Sequence, residues 1–125
     1  MNVKIDTKEK LVVIAPLDKH LTANMTEELI NMLLLYLQKD IPHIILKMIA
    51  VSDMDEQGCE LLANVQQKFY ENNFSFIICE LQRGLETKLD QLNILEVLNV
   101  TPTESEAWDI VQMEEIEREL LGGED

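Results

Sequence analysis

Residues 43–51 form a short run that is apolar on both alternating sets of positions, interrupted by Lys47. A strand with one wet face alternates, so a run of this kind has to be covered on both sides, as a central strand between layers of helix is. Residues 74–81 read as a second buried strand. Around them lie stretches of helical period: Met25, Leu29, Met32 or Leu33 and Tyr36; Leu62, Val65 and Phe69; Leu85, Leu89, Leu92, Leu95 and Leu98. Strands joined by crossover helices pair in parallel. Ahead of them, Val3 and Ile5 alternate with polar neighbours, residues 6–9 supply turn chemistry, and 10–16 is a mostly apolar, β-branched run. That pattern predicts an opening antiparallel hairpin.

The order β-β-α-β-α-β-α-β-α follows: an α/β single domain, with a mixed four- to five-stranded sheet, antiparallel in its N-terminal hairpin and parallel in the remainder, covered by about four helices. The first helix is expected from about Thr22, with Asn24 and Glu27 as a capping box, and Pro42 stops it. The second ends at Asn72 and Asn73, which tolerate the left-handed conformation of a helix terminus. An extended piece around Val100 leads to Pro102. Thr103 and Glu106 offer a second capping box for the last helix, which carries Ala107, Val111, Ile116 and Leu120 near one face. Residues 1–121 make up the domain and 122–125 a flexible acidic tail.

At 125 residues the chain is long enough for one core. Its longest uninterrupted apolar stretch, residues 32–37, is too short to cross a bilayer, and its first residues lack the features of a secretory signal. A cytoplasmic protein without membrane insertion is expected. Ten basic against 24 acidic residues leave a net charge of −14. Such a surface repels phosphate backbones, which excludes nucleic acid as a natural partner. Residues 104–125 hold nine of the acids and one base, Arg118. Cys59 and Cys79 are too few for a disulfide framework or a zinc site and read as buried small hydrophobes.

Little in the chain points to catalysis. His20 and His43 have no second ligand at metal-binding spacing beside them. The chain has no Gly-x-Gly-x-x-Gly, no phosphate loop and no Gly-x-Ser-x-Gly elbow. Its four glycines supply little material for a backbone-lined nucleotide site. The expectation is a protein that is not an enzyme, with no cofactor and no metal.

The informative segment is residues 44–62: a strand, a loop with several acids, Gly58, then an amphipathic helix. Here the sequence resembles the STAS domains, whose bacterial anti-sigma-factor antagonists carry a strand, an Asp-Ser-x-Gly loop and a helix. Asp55, Gly58 and the apolar positions match in register. Upstream, residues 17–23 are similar to the family's Leu-Asp stretch before its first helix. Downstream, residues 103–107 look like its closing Ser/Thr-x-x-Glu-Ala. The resemblance implies a STAS-like fold and a partner surface made of Asp18, His20, Thr22, Asp53, Asp55, Glu56, Gln57 and Gly58.

In the family a kinase phosphorylates the loop serine, and the added charge drives the partners apart. Here Glu56 occupies that position and is not phosphorylatable. As a helix-start acid it still favours the helix terminus by roughly 0.3–1 kcal/mol. As a functional group it either mimics a permanently modified state or marks a module that binds without a switch. Ser52 is an alternative acceptor. Lys47 stands where the family usually has an acid, and Asp53 replaces an apolar or aromatic residue; together they could form a local ion-pair cluster or alter what the loop recognises.

Three functions are compatible with the resemblance. The first is an antagonist-like regulator in a partner-switching system, binding an anti-sigma factor or related kinase-fold protein. The second is a constitutive subunit of a transporter ATPase or scaffold complex, and the third a small-ligand-binding STAS domain. The acidic last helix is either a docking surface for a basic partner or a solvated face.

Overall fold

The computed structural model describes residues 1–39 and 43–122. β1 (Val3–Thr7) and β2 (Leu11–Pro16) form the expected hairpin, with Ile5 opposite Ile14. β2 is followed by β3 (His20–Leu21), α1 (Ala23–Leu35), a 3-10 turn at Tyr36–Gln38, β4 (His43–Lys47), β5 (Asp53–Met54) and α2 (Glu56–Glu71). β6 (Phe76–Cys79), α3 (Arg83–Gln91), a second 3-10 turn at Leu95–Val97, β7 (Val100–Thr101) and α4 (Glu104–Gly122) complete the chain. The main sheet runs β1-β2-β4-β6-β7, antiparallel in the hairpin and parallel beyond it.

The doubly apolar runs do what their pattern requires. Val12, Ile14, Ile44, Leu46, Phe76 and Ile78 face a large core with α1, α2 and α3. Leu11, Val13, Ile45, Ile77 and Cys79 face the opposite way, onto Ala107 and Val111 of α4. Period two thus sends alternate residues of each strand into different layers. Phe69 and Phe76 pack at 5.3 Å between ring centroids, both essentially buried. Each fully buried side chain of this size contributes about 1.5–3 kcal/mol. Cys59 and Cys79 are free and buried; burial pushes the Cys79 thiol up to about 12.

Several boundaries differ from the sequence expectation. β4 ends at Lys47 and not at residue 51, because Val51 N–H donates to Met48 O at 3.0 Å and closes a turn. Beyond that turn, Asp53 and Met54 form β5, which pairs with β3 in a small parallel sheet of their own. β6 stops at Cys79, where Glu80 takes a positive φ of 60°. The cap of α1 is Thr22, whose hydroxyl accepts from Met25 N–H at 3.2 Å, and not Asn24. Thr22 is extended because the residue before it is held in β3; Asn24 is already inside the helix.

The leucine period at 85–98 is two elements. α3 ends at Gln91, Asn93 turns left-handed at φ 60°, and Ile94 N–H returns to Leu89 O at 2.9 Å. At the end of α2, Asn73 takes the expected left-handed conformation at φ 61°. Thr103 caps α4 as expected, accepting from Glu106 N–H at 3.2 Å while its own hydroxyl donates to the Glu106 carboxylate. Beyond Val111 the expected apolar face fails: Ile116 and Leu120 are exposed, and the helix meets the sheet through Glu114, Glu115 and Arg118. Of the tail expected at residues 122–125, Gly122 still belongs to α4, while residues 123–125, like Pro42 as the stop of α1, lie outside the described residues.

Candidate functional site

The small sheet organises the loops at the C-terminal end of the parallel strands. In register, His20 pairs with Asp53 and Leu21 with Met54. Leu21 and Met54 are fully buried and anchor the two loops, which leaves His20 and the acids facing outward. Lys19 O accepts from Ser52 N–H at 2.7 Å and from the Ser52 hydroxyl at 2.9 Å, and Leu21 O accepts from Asp55 N–H at 3.0 Å. Two segments more than thirty residues apart are thereby fixed side by side.

His20 lies between two carboxylates. Its Nε2 is 2.8 Å from Asp55 Oδ1 and its Nδ1 3.3 Å from Asp53 Oδ2. The other oxygen of Asp55 accepts from Ala23 N–H at 2.9 Å. That backbone bond, and then His20, hold the Asp55 carboxyl below the usual carboxylate range. Asp53 is held down chiefly by Lys88, whose Nζ is 3.1 Å from Oδ1 and also donates to Met54 O.

Asp55 precedes α2 yet serves α1. It occupies the capping position of α2 without making a side-chain bond to it. Among the described residues no side chain accepts from the first amides of α2, and Glu56, the first helical residue, is exposed beside them with Gln57. Asp55→Ala is expected to speed hydrogen exchange at the Ala23 amide and to leave the amides of β4 unchanged, which NMR exchange measurements check.

Of the other sequence candidates, Asp18 accepts from Asn2 N–H at 2.9 Å, and Thr22 is exposed with its hydroxyl used as a cap. Gly58, grouped with the partner-binding residues in the sequence, is buried beneath them. A Cβ there would meet Thr26 Oγ1 at 2.6 Å, so glycine permits the close approach of α2 to α1. The local cluster of Lys47 with the loop acids does not form. Position 47 belongs to the strand face that looks toward α4, and Lys47 pairs with Glu104 at 3.1 Å. His43 lies at the other end of the strands, buried, with Nε2 3.0 Å from Glu115. Among the described residues no group of His, Cys, Asp or Glu could hold a metal ion. No described helix is long and apolar enough to cross a membrane.

The sequence reading missed Lys88, Leu17 and Ile49. Lys88 carried no signal, because only the placement of β5 brings it to Asp53. Leu17 and Ile49 follow β2 and β4, at the same end of the sheet as His20, and stand 51% and 55% exposed.

The STAS domain family model matches residues 2–107. Solved structures share the fold. The Thermotoga maritima protein TM1081 is 18% identical, with 88% of this chain and 94% of that one covered at a TM-score of 0.78. An anti-sigma-factor antagonist (STAS) domain protein from Planctomyces limnophilus is 19% identical, with 88% and 97% covered at 0.75. The Bacillus cell fate determinant SpoIIAA, in its phosphorylated form, is 18% identical, with 88% and 99% covered at 0.66. No curated protein sequence matches this chain.

Proposed function

The chain belongs to the STAS domain family, and on that premise we propose that it is a non-catalytic, protein-binding regulatory module of the cytoplasm, resembling an anti-sigma-factor antagonist. Residues 1–121 form the module. The partner surface consists of Asp18, His20, Thr22, Asp53, Asp55, Glu56 and Gln57, with Gly58 setting the seat of α2 from below. Its partner is an anti-sigma factor or a related kinase-fold protein.

The observation that carries this reading is Glu56: an exposed acid, first in α2, next to amides that no side chain among the described residues caps. A negative charge is favoured there by the helix partial charge. A phosphate placed there would use the same amides, but glutamate takes no phosphate from a serine kinase. The module is therefore one whose surface charge is set by its sequence and not by a modification cycle. Leu17 and Ile49 add apolar area that a partner would cover, beside the polar rim of His20, Asp53 and Asp55.

The test is capture of partners by the immobilised chain from lysate of its source cells, read by mass spectrometry, with Glu56→Lys and Asp55→Ala in parallel. A kinase-fold protein is expected on the unaltered chain, reduced about 10-fold or more on Glu56→Lys, the scale of a lost interface hot spot. A transporter ATPase in its place would favour the constitutive-subunit reading. A set of bound proteins unchanged by both variants rules this surface out.

A further inference from the structure

At the other end of the molecule a groove of about 1030 Å³ runs between the last turns of α2, the 3-10 turn at Leu95–Val97 and the second half of α4. Phe74, Phe76 and Leu98 lie in it, and Tyr70, Val97 and Leu121 rim it with exposures of 75%, 54% and 84%. Large apolar side chains gathered on one concave surface mark an interaction site more often than scattered ones do. The polar lining includes Glu71, Glu114, Glu117 and Arg118. Arg118 is already engaged: its Nη2 donates to Ser75 Oγ at 2.7 Å and lies 3.6 Å from Glu114. Glu71 and Glu117 take part in none of the ion pairs among the described residues. The charge left facing the groove is negative.

A second copy of the chain, itself at −14, would bring like charge against like. A positively charged occupant with an apolar side fits both the rim and the acids. α2 has 16 residues, about 24 Å of helix, so the groove sits a full helix length from Glu56. Its α4 wall also lies wholly beyond residues 2–107, the part that the family model matches.

We propose that this groove is a second docking surface, and that its occupant is a basic amphipathic helix of a partner protein. The helix lays an apolar side chain between Tyr70, Val97 and Leu121 and sets lysine or arginine against Glu71 and Glu117. Docking here is independent of the Glu56 surface, and both ends of α2 can be occupied together.

The probe is a fluorescein-labelled leucine–lysine peptide with its leucines at helical spacing, titrated with the full chain by anisotropy at about 0.15 M salt, where long-range attraction is screened. A leucine–glutamate peptide of the same pattern is the control. Binding of the first peptide and not the second is expected. The double variant Tyr70→Ser/Leu121→Ser, which changes no charge, is expected to weaken binding about 10-fold or more. Met113→Ser/Leu120→Ser, at other exposed apolar positions of α4, is expected to leave it intact.

Equal binding by Tyr70→Ser/Leu121→Ser overturns the proposal, because acidity alone would then hold the peptide. Loss on Met113→Ser/Leu120→Ser instead overturns it as well. So does a dimer in light scattering that Tyr70→Ser/Leu121→Ser dissolves, since the occupant would then be a second copy. Matching urea midpoints for both double variants establish that they fold.

Discussion

Gly58→Ala is expected to destabilise the fold by about 1–2 kcal/mol, even though alanine is the better helix former by about 1 kcal/mol. The added methyl would sit 2.6 Å from Thr26 Oγ1, closer than such atoms approach, and a tight 3.2 Å from Thr26 Cβ. Thr26 has nowhere to go. It is fully buried on α1, and its hydroxyl donates to Thr22 O at 3.0 Å. The helices have to separate, and α2 carries Glu56 and Gln57 with it. Urea unfolding of Gly58→Ala, Thr26→Ala and the double variant checks the cause. Thr26→Ala removes the nearest atom, so the double variant is expected to be more stable than the sum of the singles implies, by about 1 kcal/mol. Additive costs would show that the contact with Thr26 is not what glycine serves.

Gly58 also marks how far the sequence could be read. The strand and helix periods were legible because burial on both sheet faces leaves no other pattern for residues 43–47 and 76–79. Glu56 was legible only through the family resemblance, which aligns it with the loop serine; periodicity alone places the start of α2 after residue 57, whereas the helix begins at Glu56. The conformation of the loop ahead of it was not legible. β5 is two residues long, and its pairing with β3 rests on Lys19 and Leu21 carbonyls accepting from residues 52, 53 and 55. Backbone bonds of this kind leave no trace in residue type. Hence the position of His20 between Asp53 and Asp55, and of Lys88 on Asp53, emerged only in three dimensions. The outer half of α4 misled in the opposite direction. Ile116 and Leu120 have a helical spacing that looks like a core face, while the residues that hold the helix down there are Glu114, Glu115 and Arg118.

That polar anchor carries the second large effect. His43→Phe is expected to cost about 1–3 kcal/mol, the penalty for a buried donor left without a partner. His43 Nδ1 accepts from the buried Ser75 N–H at 3.1 Å, so its proton is on Nε2, which donates to Glu115 Oε2 at 3.0 Å. Phenylalanine preserves most of the ring volume but satisfies neither group. The same geometry sets a pH dependence. Burial, with Arg118 nearby, lowers the affinity of His43 for a second proton despite Glu115 and Glu114. A proton on Nδ1 would also point at the Ser75 amide. Above the ordinary value of 6.5 the folded and unfolded chains both hold a neutral imidazole, and stability does not vary through this group. Below 6.5 the unfolded chain takes up a proton that the fold refuses, so stability falls until the pH reaches the depressed folded value. Glu115 acts at lower pH. Lys10, and then His43, hold its carboxyl below the usual 4.5, so its contribution is present above that value and is lost as the pH falls through the folded one. Unfolding free energies from urea titrations between about pH 8 and about pH 5 are expected to decline in the unaltered chain by about 1.4 kcal/mol for each unit of separation between the two His43 values. His43→Phe is expected to lose that decline while keeping the steeper acid loss of the carboxylates. An unchanged profile in His43→Phe would mean that the imidazole is not the group that titrates, and that the decline belongs to another ionisable group.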